Sequence, residues 1–317
     1  MSASVTVTSP RPDEQAEAFR LIFQHLPETE REPRVVNACK LLERGELEAD
    51  GLFVVRGERS LRGAIVCTTA PGAGGLIWPP QSTTGEPPAV EDELIRRACD
   101  WLRRRGAKLA QTLLPPDEFP IGASLLRNGF AHVTTLWYMR HTLELSAVLL
   151  SKGEQLTYRP YPRASDLFHE TLLRTYDGTA DCPEISGVRT IEEVIAGHRA
   201  QGDHDPQRWW LALRADQPVG VLLLTRMTDW EGWDVSYVGV VPEARRQGVG
   251  AELMRKALLE AKSAGAGQMT LSVDARNKAA WELYRRLEFE PFEQREVLLA
   301  IWKREVDERN PATPGGV

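Results

Sequence analysis

Two stretches of this chain, 159 residues apart, carry one pattern. ELIRRACDWLRRRGA (93–107) and ELMRKALLEAKSAGA (252–266) share six of fifteen residues in place: Glu, Leu, Arg, Ala, Gly and Ala. Ile95 and Arg97 face the near equivalents Met254 and Lys256. The same offset, without a gap, sets LLRNGF (125–130) against YRRLEF (284–289). A frame held over nearly forty residues exceeds what two helices share through composition alone, so the chain reads as a duplicated domain. One element order must then serve twice, and 317 residues suit two units of roughly 150.

Apolar periodicity supplies that order. The first unit reads as a strand at 5–8, helices over 13–26 and 34–44, and two strands, LFVV and LRGAIVCTT, split by the hairpin signal RGERS. GLIW follows as a strand, then a helix over 91–105, a strand at 108–114, a helix at 118–128 and a strand at 131–141. The second unit repeats this with LTYRP, helices from 165 and near 190–200, and the strands WWLALR, PVGVLLLTR and WDVSYVGVV. A helix at 249–264, QMTLSV, a helix at 277–287 and a strand at 292–301 complete it. The expected units are 1–150 and 156–305, with LSAVLLSKGEQ (145–155) between them and a disordered tail at 306–317.

Composition excludes several chemistries. A net charge of -6 offers no electrostatic footprint for nucleic acid. No apolar run reaches the roughly 18 residues of a membrane span, and the N-terminus lacks a signal-peptide core, which predicts a cytosolic protein without a membrane partner. Cys39, Cys67, Cys99 and Cys182 are scattered, with no Cys-x-x-Cys pair, and the histidines show no metal spacing, so no metal is expected. No Gly-x-Ser-x-Gly elbow is present.

The stretch VVPEARRQGVGA (240–251) asks for explanation, because Gly248 and Gly250 each cost a helix about 1 kcal/mol against alanine. A glycine-rich helix start after a strand exposes amides with no intrahelical acceptor, at the positive end of the helix dipole. With Arg245 and Arg246 beside it, this is a cradle for a phosphate-bearing ligand. It is not a Walker A loop, since Gly-Ala-Glu stands where Gly-Lys-Ser/Thr would be needed. It is not a dinucleotide fingerprint either, since Leu253 takes the place of the third glycine.

Arg-x-x-Gly-x-Gly after a strand resembles the acyl-CoA motif of the GNAT N-acetyltransferase superfamily. NKAAWELYRRLEF (277–289) is similar to that family's second signature, matching it at Asn277, Ala280, Leu283, Tyr284, Leu287 and Phe289, with Glu288 in place of a glycine. The resemblance implies two tandem acyl-CoA N-acyltransferase folds of α/β class, each a mixed, mostly antiparallel sheet flanked by helices. It further implies acetyl-CoA as cosubstrate, its pyrophosphate on the amides of Arg246, Gln247, Gly248, Val249, Gly250 and Ala251 with Arg245 nearby. Val238, Gly239 and Val240 would pair with the pantetheine arm, Asn277 would hold it, and Tyr284 would be the general acid. The family's two positions for a general base fall on Asp234, acting through a water, and on Ser272, which cannot serve.

The acceptor implied is a primary amine, small-molecule or protein-borne, with the small molecule favoured, attacking directly in a ternary complex. A CoA-binding regulator without turnover is the competing reading, and the sequence sets no oligomeric state. Asp177, Asp181 and Glu184 lie close together where an amine could be received, and one of the adjacent Trp209 and Trp210 is expected to line a pocket. In the first unit the offset sets EPPAVE (86–91) against RRQGVG. Pro87 and Pro88 have no amide to donate, Glu86 repels phosphate, and Leu125 stands where Tyr284 does. The first unit thus reads as a degenerate copy, the tandem arrangement of mycothiol synthase-like members of the family.

Overall fold

The computed structural model describes residues 5–143, 156–228 and 232–302. The proposed linker 145–155 and the tail 306–317 lie outside the described residues. Hydrophobic alternation and helical periodicity become, in chain order, β1 (Val7–Thr8), α1 (Gln15–Ile22), α2 (Glu28–Glu43), β2 (Leu52–Arg56), β3 (Leu61–Ala70), β4 (Gly74–Ile77) and β5 (Gln81–Ser82). α3 (Ala89–Arg104), β6 (Leu109–Leu114), α4 (Ala123–Arg127) and β7 (Ala131–Thr142) follow. Then come β8 (Thr157–Pro160), α5 (Ser165–Thr175), α6 (Ile191–Arg199), β9 (Trp209–Arg214), β10 (Gln217–Met227) and β11 (Gly232–Val240). The last elements are α7 (Val249–Ser263), β12 (Gln268–Asp274), α8 (Lys278–Arg286) and β13 (Glu290–Ile301). The helix expected over 118–128 opens as 3-10 (Pro116–Gly122), where Pro120 has no amide for an α-helical bond, and becomes α only at α4.

The 159-residue frame holds in three dimensions. β7 and β13 occupy equivalent spans, and α3 and α7 end at equivalent residues. The pairs Val90/Val249, Leu94/Leu253, Ile95/Met254, Ala98/Ala257, Cys99/Leu258 and Leu102/Ala261 are all buried, so the matched apolar stripe is the face each helix turns to its core. Backbone conformation repeats as well. Gly106 and Gly265 share positive φ after α3 and α7, and Gly129 (88°) is matched by Glu288 (66°) after α4 and α8. Glu288 therefore sits in the left-handed conformation that explains why glycine is usual there.

The strands form one 13-stranded sheet in the order β1-β2-β3-β4-β6-β13-β7-β12-β11-β10-β9-β8, with β5 on β3. Among the described residues only β4–β6 and β11–β12 are parallel. The two last strands change partners: β13 pairs with β6 over Val297↔Leu113 and its neighbours, while β7 pairs with β12 over Ser272↔Tyr138 and its neighbours. β7 and β13 also pair antiparallel with each other, which joins the two halves of the sheet. Separate cores flank this sheet, one under α7 and one under α3.

Candidate functional site

β11 and β12 pair only at Trp233↔Met269 and Asp234↔Thr270. Beyond that point β11 runs on to Val240 and β12 to Asp274, so the two parallel strands part into a V. β11 is bonded on its far side to β10 throughout, which leaves the backbone edge of Val238, Gly239 and Val240 turned to the opening. Such an edge receives an extended, amide-bearing chain as an added strand. Gly239 is required there: a Cβ would stand 2.6 Å from Thr175 Oγ1.

The wide end of the V is closed by the start of α7. Arg246 (φ 61°) and Gly248 (φ 83°) both take left-handed conformations, so the chain coils with its amides directed to one side. Among the described residues the amides of 246–251 have no acceptor; the next, that of Glu252, bonds the Gly248 carbonyl at 3.1 Å. Val249 is buried, whereas Arg246, Gln247 and Gly248 are exposed. A Cβ on Gly250 would come within 3.3 Å of Leu283, so this glycine also lets α7 approach α8. Unpartnered amides on a helix start of this length fit a phosphate group.

Arg245 behaves differently from the neighbouring cation. Its guanidinium donates to the carbonyls of Val240 (3.1 Å), Thr175 (3.1 Å), Asp177 (2.6 Å) and Gly178 (3.2 Å). It ties the end of β11 to the loop after α5, and sequence alone does not distinguish that clamp from a phosphate ligand. Gln247 is likewise braced, with Arg214 Nη1 on its Oε1 at 2.8 Å.

At the other side of the V, Asn277 caps α8, its Oδ1 accepting the Ala280 amide at 3.1 Å. Its Nδ2 donates to Asp181 at 2.7 Å, and the second Asp181 oxygen accepts the Asp274 amide at 3.0 Å. Glu184 holds Arg276 through two bonds of 2.6 and 3.0 Å. Asp181 and Glu184 thus pin the loop to the start of α8, while Asp177 and Asp181 both remain exposed to solvent. Of the three acids expected to receive an amine, Asp181 and Glu184 have their oxygens bonded to Asn277, Arg276 and the Asp274 amide, and Asp177 stands exposed. Trp209 and Trp210 face opposite sides of β9 as expected, and both are core residues.

Tyr284 is buried on α8, its ring 6.0 Å from that of Phe289. Burial first, then the negative Asp181 nearby, push its hydroxyl well above the ordinary phenol range, so it is protonated at neutral pH. Asp234 stands where β11 and β12 begin to part, with Thr270 Oγ1 donating to it at 2.6 Å. Burial raises its carboxyl to about 6, against the smaller opposing effect of that bond. It lines a cavity of about 570 Å³ with Tyr138, Gln201, Met227, Ser236 and Ser272. Tyr138 belongs to β7 and reaches this cavity only through the strand exchange. No local signal in the sequence marks it.

The first half differs at the points that matter for a phosphate and a proton. Pro88 precedes α3 in a right-handed conformation, and the amides of Val90 and Asp92 already bond the carbonyls of Pro87 and Pro88 at 3.0 Å. Glu86 holds Arg62, Nε to Oε1 2.8 Å, and Leu125 is fully buried. Among the described residues no group of three or more His, Cys, Asp or Glu could hold a metal ion, and no helix is long and apolar enough to cross a membrane.

Comparison with known proteins agrees with the motifs. A model described as the acetyltransferase (GNAT) family matches residues 172–289. The mycothiol acetyltransferase of Thermobispora bispora is 33% identical over 181 residues, 54% of this chain and 59% of its own length, so the chain spans about three-fifths of that relative. The mycothiol acetyltransferase of Mycolicibacterium smegmatis is 30% identical over 229 residues, 66% of this chain and 74% of its own. A GCN5-related N-acetyltransferase from Sphaerobacter thermophilus shares the fold, with a TM-score of 0.60 at 16% identity over 93% of this chain and 95% of that one.

Proposed function

Since the chain belongs to the acetyltransferase (GNAT) family, we propose that it transfers the acetyl group of acetyl-CoA to a primary amine of a small molecule, by direct attack in a ternary complex. The observation that carries this reading is the V between β11 and β12: a phosphate-ready helix start and a strand edge with no partner strand at one end, a carboxylate of raised pKa at the other. The unpartnered amides of 246–251 take the pyrophosphate, with the Arg246 side chain adding charge, and the edge of 238–240 takes the pantetheine amides. Arg245 and Asn277 act here by holding the walls of the V, through the carbonyl clamp and the helix cap.

A thioester is already activated, so the protein's task is to place an uncharged amine and manage two protons. Asp234, poised near 6, takes the proton the amine loses as its nitrogen bonds the carbonyl carbon. The carbon–sulfur bond then breaks, and Tyr284, kept protonated by burial, returns a proton to the sulfur. A sensor of acyl-CoA needs neither group, so their presence favours turnover. The relatives named for mycothiol support a small-molecule acceptor over a protein one. The test is release of free thiol from acetyl-CoA against a panel of small amines, amino sugars and peptides. Acceleration by a small amine supports the reading; CoA binding with no acceptor-dependent release by any member overturns it.

A further inference from the structure

The first half keeps a cleft of its own. β4 and β6 are parallel and pair over Gly74↔Leu109, Gly75↔Ala110 and Leu76↔Gln111. β4 then ends at Ile77, while β6 continues to Leu114. A cavity of about 310 Å³ fills that opening, lined by 76–79 on one side and 111–115 on the other. The repeat frame identifies it: Leu76, Ile77 and Leu113 match Val235, Ser236 and Ser272, which line the Asp234 cavity. The counterpart of Asp234 is Gly75, so this cleft has no base at that point. With Pro87, Pro88 and the Arg62-bound Glu86 at the matching helix start, it has no phosphate site either.

Its lining is nonetheless built for a ligand of another kind. The body is apolar: Ile22, Phe23, Ile77, Trp78, Leu113 and Ile121. The charged residues of the lining include two guanidiniums, Arg34 and Arg295, against one carboxylate, Glu118. Glu118 is shared between Arg34 (3.2 Å) and His25 Nε2 (3.3 Å), and the buried Nδ1 of His25 has no partner among the described residues. Arg295 comes from β13, hence through the strand exchange; it also pairs with Glu293, which stands outside the lining. A volume at the small end of the roughly 300–1,000 Å³ typical of ligand pockets suits a small molecule. We propose that this cleft binds one small monocarboxylic acid with an apolar body, its carboxylate on Arg34 and Arg295 and its chain against Trp78 and Ile77.

The experiment is calorimetric titration of the full chain with hexanoate and phenylacetate, each beside its neutral amide, hexanamide and phenylacetamide. The acids bind at one per chain, and the amides bind roughly tenfold or more weaker, as loss of a charge-assisted bond requires. Arg34→Gln weakens the acids by a similar factor. Glu118→Gln does the opposite and tightens them several-fold, because the competing carboxylate is gone; a merely structural role for Glu118 gives no such gain. Leu113→Trp, which fills the cavity from a half-buried position, removes acid binding and leaves CoA titration of the second half unchanged. The proposal fails if the amides bind as well as the acids, if no acid binds at concentrations on the order of 10 mM, or if CoA competes for the same cleft. Should Arg34→Gln not fold, the acid-to-amide ratio on the unaltered chain and the sign at Glu118 still decide.

Discussion

The starts of α3 and α7 lie at matched points of one repeated frame and do opposite things with their backbone. Before α7, two left-handed residues, Arg246 and Gly248, coil the chain so that the amides of 246–251 find no acceptor. Before α3, two prolines carry no amides, and those of Val90 and Asp92 are spent on the carbonyls of Pro87 and Pro88. The helices that follow bury the same positions against the same kind of sheet. Folding therefore constrains the buried stripe, and a phosphate site depends on the few residues ahead of it. A copy can lose one without the other, because the turn contributes little to the core.

The sharpest way to break this comparison is at Gly248. Proline there removes an amide and cannot adopt a φ of 83°, so Gly248→Pro should abolish CoA binding, while Pro88→Gly leaves it untouched. Calorimetry on unaltered protein should give one CoA per chain; two equivalent sites would mean the first copy is not silent.

Next in size is Asp234, whose counterpart in the first half is Gly75. Asp234→Asn should lower kcat by ~10²–10⁴ and erase the rise of kcat/KM with pH through about 6. Its linkage to stability has a definite sign. The folded carboxyl titrates above its unfolded value, so what it contributes to stability is present below about pH 4 and lost as pH rises through about 6. The asparagine variant should therefore be more stable by about 1–3 kcal/mol at pH 8, and no different at pH 4. A melting temperature equal to the parent's at pH 8 would show that burial does not raise this group.

Tyr284→Phe makes the second half resemble Leu125 of the first, without losing the ring. If the hydroxyl acts only as sulfur leaves, kcat should fall by ~10² or less with acetyl-CoA affinity and melting temperature nearly unchanged. Unchanged turnover, with chemistry shown to limit the rate, would remove it from the mechanism.

The smallest expected effect is at the repeat's mismatched turn. Glu288 holds a left-handed conformation that Gly129 adopts freely. Glu288→Gly should stabilise the chain by about 1 kcal/mol, a rise of ~2–4 °C, and Gly129→Glu should cost a similar amount. Thermal unfolding of both variants checks the symmetry, and a loss at Glu288 would point to its 4.0 Å approach to His141 instead.

Local sequence determined a great deal here. The repeat, the element order and the family motifs are short-range signals: apolar spacing places the helices, and glycines mark positive φ at Gly106, Gly129, Gly248 and Gly265. The cradle before α7 was legible because amides and prolines act where they stand. Tertiary structure decided what depends on partners distant in the chain. Arg245 and Arg246 are adjacent and alike in sequence, yet one is spent on the carbonyls of Val240, Thr175, Asp177 and Gly178, and the other is exposed. Asp181 and Glu184 read as free acids until Asp274, Arg276 and Asn277 meet them across the V. The exchange of β7 and β13 brings Tyr138 into the cavity that Asp234 lines and Arg295 into the one that Glu118 lines. Both strands have the same length and the same place in the repeat, so their local pattern suits either partner; β6 and β12 offer equivalent edges, and only assembly of the whole sheet chooses between them.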